Sequence, residues 1–378
     1  MSKPVCIGIL GGGQLARMSA FEAIRMGFNV AILEKIKNSP AGQLTRNEFV
    51  GWVDNKKLLK KFSKVSDIIT LENEFIDHKY LEYIESIGKK VIPSPQTISL
   101  IQDKLIQKQT VAAAKIPVAK FVKVDEQTDY LTISSQLGKK FVLKSRKMGY
   151  DGYGNSTISN SKDFSKALLK LKDRHSDLYA EEFVSFRKEL AVMVVRTKRE
   201  IKTYPVVETI QKNHICHTVI APAVVSDNLR KNAIEIGIEA VKAVKGFGLF
   251  GIELFFTEDN KILLNEMAPR PHNSGHYTIE ACTSSQFENH IRSVLNMKLG
   301  STEMVKPAAV MINLLGKKNG PGVISDVNRS FIYEDVHLHI YGKHQSRIGR
   351  KMGHITMLGE NSKSILDYLK KVEKEIII

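Results

Sequence analysis

A chain of 378 residues is too long for one ordinary domain and reads as two or three, at ~100–200 residues each. Its 43% apolar content is that of a soluble globular protein, and no apolar run approaches the ~18–20 residues that would span a membrane. A net charge of +16 invites a nucleic-acid reading. However, the lysines are dispersed (Lys56-Lys57, Lys60-Lys61, Lys139-Lys140) and no recognition helix, zinc finger or aromatic RNA-binding motif accompanies them, so the field suits small polyanionic substrates better.

The start, MSKPVCIGILGGGQ, enters a strand-and-glycine pattern at once and lacks the layout of a cleavable secretion signal. Residues 5–10 read as a buried strand, followed by Gly11-Gly12-Gly13-Gln14 and an amphipathic helix over 15–26. Further strands are expected at 28–34, 65–74 and 89–95, which makes a parallel α/β layer that ends near Pro93 and Pro95. Residues 97–115 read as one helix containing Asp103-Lys104. A strand at 141–145 leads into a loop with Gly149, Gly152 and Gly154, then a helix at 164–173 and a strand at 177–184. Antiparallel strands follow at 189–196 and 203–210, a helix at 228–244, short strands beyond 305 and a last helix at 362–374. Cys6, Cys216 and Cys282 are far apart with no Cys-x-x-Cys spacing, which is neither a disulfide framework nor a zinc site and fits a reducing cytoplasm.

The stretch 251–282 carries the sharpest chemistry. Glu253 and Glu266 each sit among β-forming residues, and a tight reversal at Asp259-Asn260 would put Glu258 opposite Lys261 and Glu253 opposite Glu266. Two carboxylates opposed on one face of a hairpin repel each other, and a divalent cation such as Mg²⁺ would remove the conflict. The competing reading is a hairpin with its acids in solvent on opposite sides. The first glycine loop places amides at a helix N-terminus, where an anion is favoured, but its glycines match G-x-G-x-x-G poorly. With Glu34 as a ribose-binding acid, that loop leaves a nicotinamide oxidoreductase open. The second loop, after strand-borne Lys144, can close over a triphosphate, although G-x-x-x-x-G-K-[ST] is absent and a mobile hairpin would look the same. After Glu266, the run Arg270, His272, Asn273, Ser274, Gly275, His276, Tyr277 is denser in polar groups than packing at a strand end requires. Near the end, Lys343, Arg347, Arg350, Lys351 and His354 alternate with apolar residues, as a phosphate seat or a solvated basic hairpin would.

Lys104, Lys144, the GYDGYGN loop, the AEEFV strand, Glu189, Glu253 and Asn265-Glu266 together resemble the nucleotide site of the ATP-grasp superfamily. GGGQLARM, NEMAPRPHNSGHYTIEACTSSQFENH and GRKMGH narrow the resemblance to its 5-(carboxyamino)imidazole ribonucleotide synthetase family. The resemblance implies an α/β ATP-grasp architecture: an N-terminal parallel α/β domain (1–96), a central ATP-grasp domain (97–300) and a β-rich C-terminal domain (301–378). It implies carboxylation of 5-aminoimidazole ribonucleotide at the expense of ATP and bicarbonate, in purine biosynthesis, by a cytoplasmic homodimer. ATP would be held by Lys104, Lys144, Gly149, Tyr150, Asp151, Gly152, Tyr153, Gly154, Asn155, Glu181, Glu182, Phe183, Val184, Glu189, Gln211, Asn265 and Glu266, with Mg²⁺ on Glu253 and Glu266. The ribonucleotide would meet Gln14, Glu74, Tyr150, Asp151, Arg270, His272, Asn273, Ser274, His276, Lys343 and Arg350. Lys144, Asp151, His272 and His276 would carry the catalytic work. Two positions depart from the family: Tyr153 stands where Arg or Lys is usual, and Gln211 where His is frequent, with His214 the nearest imidazole. Another ATP-grasp ligase, such as a formate-using glycinamide ribonucleotide transformylase, is the alternative that shares the ATP residues.

Overall fold

A computed structural model of the protein describes residues 4–149, 154–172, 177–326 and 332–378. Strands β1 (Cys6–Leu10), β2 (Asn29–Glu34), β3 (Asn47–Val50), β4 (Ile68–Leu71) and β5 (Lys90–Val91) form the expected parallel sheet, in the order β3-β2-β1-β4-β5. Helix α1 (Gln14–Arg25) covers Ile7, Ile9, Val30 and Ile32 on one face. Helices α2 (Lys56–Val65) and α3 (His78–Ser86) cover Cys6, Leu10, Ala31 and Leu33 on the other. Burial on both faces explains why these strands read as continuous apolar runs rather than alternating ones. Two expectations shift: the strand sought at 65–74 pairs only over Ile68–Leu71, and the half-exposed edge strand β3 has no apolar run to announce it.

The helix expected over 97–115 is two, α4 (Pro95–Ile101) and α5 (Lys104–Ala113). Asp103 causes the break: its carboxylate accepts from the amides of Leu105 (3.0 Å) and Ile106 (3.3 Å), capping α5, and is gripped by Arg146. The cap puts Lys104 at the first position of α5, with Lys108 one turn along. Beyond it, β6 (Phe121–Val124), helix α6 (Tyr130–Leu137), β7 (Phe141–Ser145), β8 (Asn155–Ile158), helix α7 (Ser161–Lys172) and β9 (Leu178–Glu182) build an antiparallel sheet in the order β6-β9-β7-β8. Its two helices pack around Phe141, Leu143, Phe164 and Ala180.

The largest sheet uses β10 (Phe186–Arg196), β11 (Ile201–Thr203), β12 (Val207–Lys212), β13 (Ile215–Ala221), β14 (Gly248–Thr257) and β15 (Ile262–Ala268). Helix α8 (Asp227–Ala243) packs its buried face on Val192, Val194 and Ile252. The strand expected at 203–210 divides around Tyr204-Pro205-Val206, where the proline offers no N–H to a ladder. Helices α9 (Thr278–Ala281) and α10 (Gln286–Val294) precede β16 (Ala308–Leu315), β17 (Gly320–Pro321), β18 (His337–Ile340), β19 (Gln345–Ser346), β20 (Lys351–Gly359) and the terminal α11 (Ser362–Glu375). The main ladder runs β15-β14-β10-β12-β13-β16-β20-β18, so it is continuous from the carboxylate hairpin into the C-terminal strands. No helix among the described residues is long and apolar enough to cross a membrane.

Candidate functional site

Glu253 of β14 does pair with Glu266 of β15, but by a different route from the simple count. Thr257, rather than Glu258, faces Lys261, because Asn260 takes a left-handed conformation (φ 63°) and widens the reversal. A bulge at Asn265 then restores the register, and the two one-residue shifts cancel at the glutamates. Lys104 donates to Glu266, and His272 Nε2 stands 3.3 Å from Glu253 Oε1. Burial alone would raise the Glu266 carboxyl, but the adjacent Lys104 ammonium outweighs it and holds it below its ordinary value. Asn265 donates to Glu253 at 3.4 Å, while its own carbonyl oxygen is buried with no partner among the described residues. Glu189 faces the same pair from β10. Burial pushes its carboxyl up to about 7, the neighbouring Gln211 amide opposing and Glu253 and Glu266 adding to the push.

This donor set fits a hard divalent cation. The two carboxylates keep 32% and 38% of their side-chain surface open, and the side-chain oxygen of neighbouring Asn265 has no hydrogen-bond partner among the described residues. No cluster of three His, Cys, Asp or Glu side chains able to hold a metal exists among the described residues, so phosphate oxygens and water would complete the shell.

A second ionic cluster adjoins the first. Lys144 donates to Glu181 Oε2 at 2.6 Å, and Lys108 lies 3.1 Å from Glu181 Oε1. Burial would push the Glu181 carboxyl up, yet Lys108 and then Lys144 overcome it and bring it down to about 2. Gly149 and Gly154 mark the two stems of the loop between β7 and β8, and Asn155 pairs with Lys144. The candidate residues Tyr150, Asp151, Gly152 and Tyr153 lie outside the described residues. Glu182 accepts from the amide of Lys120, and the exposed ring of Phe183 sits under the Lys140 ammonium beside Val184.

Near the Glu266 carboxylate, Arg270 grips Glu74 with two bonds of 2.6 and 3.2 Å. His272 is locked in orientation: its amide donates to Gln286, Nδ1 meets the Ser274 hydroxyl at 2.8 Å, and Nε2 points at Glu253. Gly251 is required here, because a Cβ would lie 2.4 Å from the Cβ of His272. Asn273, Ser274 and His276 face inward instead. Asn273 exchanges amide bonds with Asn313, and His276 Nδ1 meets Gln286 at 2.9 Å. Burial, reinforced by the nearby His272, keeps the His276 imidazole neutral, far below its ordinary range. Lys343 donates to the carbonyl of Lys351 next to Arg350, which in turn donates to the carbonyl of Gln345.

The first glycine loop holds an anion, and that anion is the protein's own. Glu72 accepts from the amides of Gly13 (2.6 Å) and Leu15 (3.2 Å), and Glu34 accepts from Gly12 (2.8 Å). The amides expected to favour an anion are therefore taken by these carboxylates, and Glu34 is turned into the loop rather than toward a ribose. Gln14 opens α1 immediately beside these bonds.

Sequence reasoning passed over Lys108, Glu72 and Gly251. Lys108 had a signal, a lysine on the apolar stripe of Leu105 and Val111. Glu72 and Gly251 had none, because each is defined by contacts with residues distant in the chain.

The chain matches the ribonucleotide synthetase preATP-grasp domain over residues 4–102, the ATP-grasp domain over 109–287 and the phosphoribosylaminoimidazole carboxylase C-terminal domain over 309–368. It is 40% identical to the chloroplastic phosphoribosylaminoimidazole carboxylase of Vigna aconitifolia, across 96% of this chain and 65% of that one. It thus spans about two thirds of the length of such plant and yeast relatives. To the N5-carboxyaminoimidazole ribonucleotide synthase of Bacillus subtilis it is 37% identical, across 93% of this chain and 91% of the relative. The solved N5-carboxyaminoimidazole synthase of Aspergillus clavatus, in complex with ADP and 5-aminoimidazole ribonucleotide, superimposes with a TM-score of 0.89 at 36% identity, covering 98% of each chain.

Proposed function

The chain belongs to the N5-carboxyaminoimidazole ribonucleotide synthetase family, and from that premise we propose that it carboxylates the exocyclic amine of 5-aminoimidazole ribonucleotide, consuming ATP and bicarbonate and releasing ADP and phosphate. The observation that carries this reading is the opposed Glu253/Glu266 pair, with Lys104 and Lys144, the oriented His272 and the Arg270–Glu74 pair gathered around it. The lysines supply what a triphosphate needs, and His272 with the Arg270–Glu74 pair what an aminoimidazole ribonucleotide needs. The match of residues 309–368 to the carboxylase C-terminal domain favours this substrate over the formate-dependent transformylase alternative.

In the proposed reaction, Lys104 and Lys144 leave their glutamate partners for phosphate oxygens, and a Mg²⁺ on Glu253 and Glu266 would neutralise charge on the transferring phosphoryl group. Glu181 to Val184 border the adenine, and Glu189, with Gln211 beside it, meets the ribose. The loop through Gly149, Gly154 and Asn155 covers the phosphates. Phosphorylated bicarbonate, carboxyphosphate, then breaks down beside the amine, where proximity offsets the low concentration of CO₂. His272 is the proton-handling group we favour, since its Nδ1 is fixed and its Nε2 faces the reacting region. His276, Asn273 and Ser274 support it from behind, while Gln14, Glu74, Arg270, Lys343 and Arg350 surround the ribonucleotide. The reading keeps the division 1–96, 97–300 and 301–378. It includes a homodimer, supported by family resemblance, in the cytoplasm, a compartment that the wide spacing of Cys6, Cys216 and Cys282 in the sequence fits.

The test is ADP release with aminoimidazole ribonucleotide, with and without bicarbonate, beside a parallel assay with glycinamide ribonucleotide and formate. Bicarbonate-dependent turnover only in the first supports the reading. Turnover only in the second replaces it.

A further inference from the structure

Resting on that ATP-binding reading, we propose that Lys108 is a positioning residue that lets Lys144 transfer from Glu181 to a nucleotide phosphate. The Glu181 carboxylate is 4% exposed and has two cationic neighbours, Lys144 at 2.6 Å on one oxygen and Lys108 at 3.1 Å on the other. Lys144 stands at the end of β7 and keeps 12% of its side chain open. Lys108 keeps only 2%, and its ammonium donates to the carbonyl of Leu264 at 3.2 Å, so it is held inside by one hydrogen bond and by the charge of Glu181. The two lysines therefore differ in freedom: one can move, and the other cannot.

Burying an ammonium group is costly, and an apolar side chain of similar length would fill the space between α5 and β15 without that cost. Packing therefore does not explain the charge. What explains it is the fate of Glu181 when Lys144 turns toward ATP. Without Lys108, that movement would strand an ionised carboxylate in a dry site, and the penalty would hold Lys144 where it is. With Lys108 in place, Glu181 stays compensated throughout, and Lys144 exchanges one anion for another. The spacing supports this role: Lys104 and Lys108 are one turn apart on α5, and reach Glu266 and Glu181 respectively, the anchors of the two ionic clusters.

The experiment is a cycle of Lys108→Met, Glu181→Gln and the double variant, with Mg-ATP affinity measured by calorimetry and KM for aminoimidazole ribonucleotide measured at saturating ATP. Lys108→Met should weaken Mg-ATP binding about 10–100-fold, while KM for the ribonucleotide moves less than about twofold. In the Glu181→Gln background the same change should matter less than about twofold, because no buried charge then pins Lys144. That last comparison stands even if Lys108→Met alone fails to fold. Equal losses in both backgrounds, or equal weakening toward ATP and the ribonucleotide, would overturn the proposal. Wild-type protein that fails to bind Mg-ATP would instead remove the functional reading beneath it.

Discussion

The glycine loop before α1 and the lysine–carboxylate cluster around β14 and β15 are both arranged to hold negative charge, and they differ in who supplies it. At the loop, backbone amides of Gly12, Gly13 and Leu15 bond Glu34 and Glu72, carboxylates from the ends of neighbouring strands. Added Cβ atoms at Gly12 and Gly13 would run into Ser39, Glu34 and Glu72 within 3 Å, so these carboxylates pack directly on a glycine backbone. At the cluster the cation beside the pair is the Lys104 side chain, and its partner Glu266, like the opposed Glu253, remains about one-third open. The first arrangement is taken up by the protein's own carboxylates, and on the proposed reading the second exchanges its ions for a ligand's. On that reading, paired lysines and glutamates mark the nucleotide site of this chain better than its glycine-rich strand–helix turn does.

The sharpest way to break the comparison is to neutralise each of the two opposed carboxylates of the cluster. Glu266→Gln and Glu253→Gln should each lower ADP release by about 10²–10³, the typical loss for a transition-state electrostatic contact, with thermal midpoints near wild type. Steady-state kinetics beside a melting curve reads both quantities. Near-normal turnover in either variant would mean that the opposed pair is not the reactive centre.

Lys343 tests where the boundary between the regions runs, because it is close to Glu72: burial raises that carboxyl, and the Lys343 charge only partly opposes the rise. The double change Lys343→Ala, Arg350→Ala should raise KM for the ribonucleotide about tenfold or more and leave KM for ATP nearly unchanged, as loss of binding shared by ground and transition states does. Titrating each substrate with the other saturating makes the distinction. Equal shifts for both would assign the pair to the fold.

Much of this was legible in the sequence, for reasons that differ by element. The parallel sheet showed because its strands are buried on both faces and leave unbroken apolar runs. The Glu253–Glu266 pairing was reached by a count that ignored both the left-handed Asn260 and the bulge at Asn265, and came out right because the two errors offset. Neither a turn type nor a bulge follows from apolar periodicity. The break at Asp103 was legible in principle, since an Asp before Lys-Leu-Ile is a helix cap, but the apolar period runs through it unbroken. The ion pairs of Lys108, Lys144 and Glu181 and the Glu72 bonds to α1 join residues 37 to 73 positions apart, or 57 to 59 for Glu72, and no local pattern encodes such meetings.

Glu72→Gln should show the opposite signature to Glu266→Gln. An amide offers one acceptor oxygen where the carboxylate offers two, so the amide of Gly13 or Leu15 loses its partner. Unfolding stability should fall by about 1–2 kcal/mol, as for a donor left unsatisfied, while kcat and KM for ATP stay close to wild type. A denaturant midpoint beside a kinetic assay measures the contrast. Loss of activity without loss of stability would move Glu72 into the reactive site.

The smallest effect concerns Glu189 and probes whether the cluster strains against itself when no ligand is present. Its carboxyl is pushed up to about 7 in the folded protein, against 4.5 for the ordinary group, so the fold holds this proton more tightly than the unfolded chain does. The stabilisation this provides is complete below about pH 4.5 and is lost as pH rises through about 7. At pH 8 an ionised Glu189 therefore burdens the fold, burial and the neighbouring Glu253 and Glu266 all opposing its charge. Glu189→Gln removes that burden, and the variant should be more stable than wild type at pH 8 by on the order of 1 kcal/mol after allowance for partial exposure. The gap should shrink as pH falls through about 7 and close below about pH 4.5, where the carboxyl is protonated in the folded and unfolded chain alike. It should also narrow at pH 8 when a divalent cation is added, because a cation on Glu253 and Glu266 relieves the same repulsion. Melting curves at several pH values, with and without MgCl₂, give all three readings. A variant less stable than wild type at pH 8 would show that Glu189 is held by attractive contacts, and that this edge of the cluster is as settled as the glycine loop.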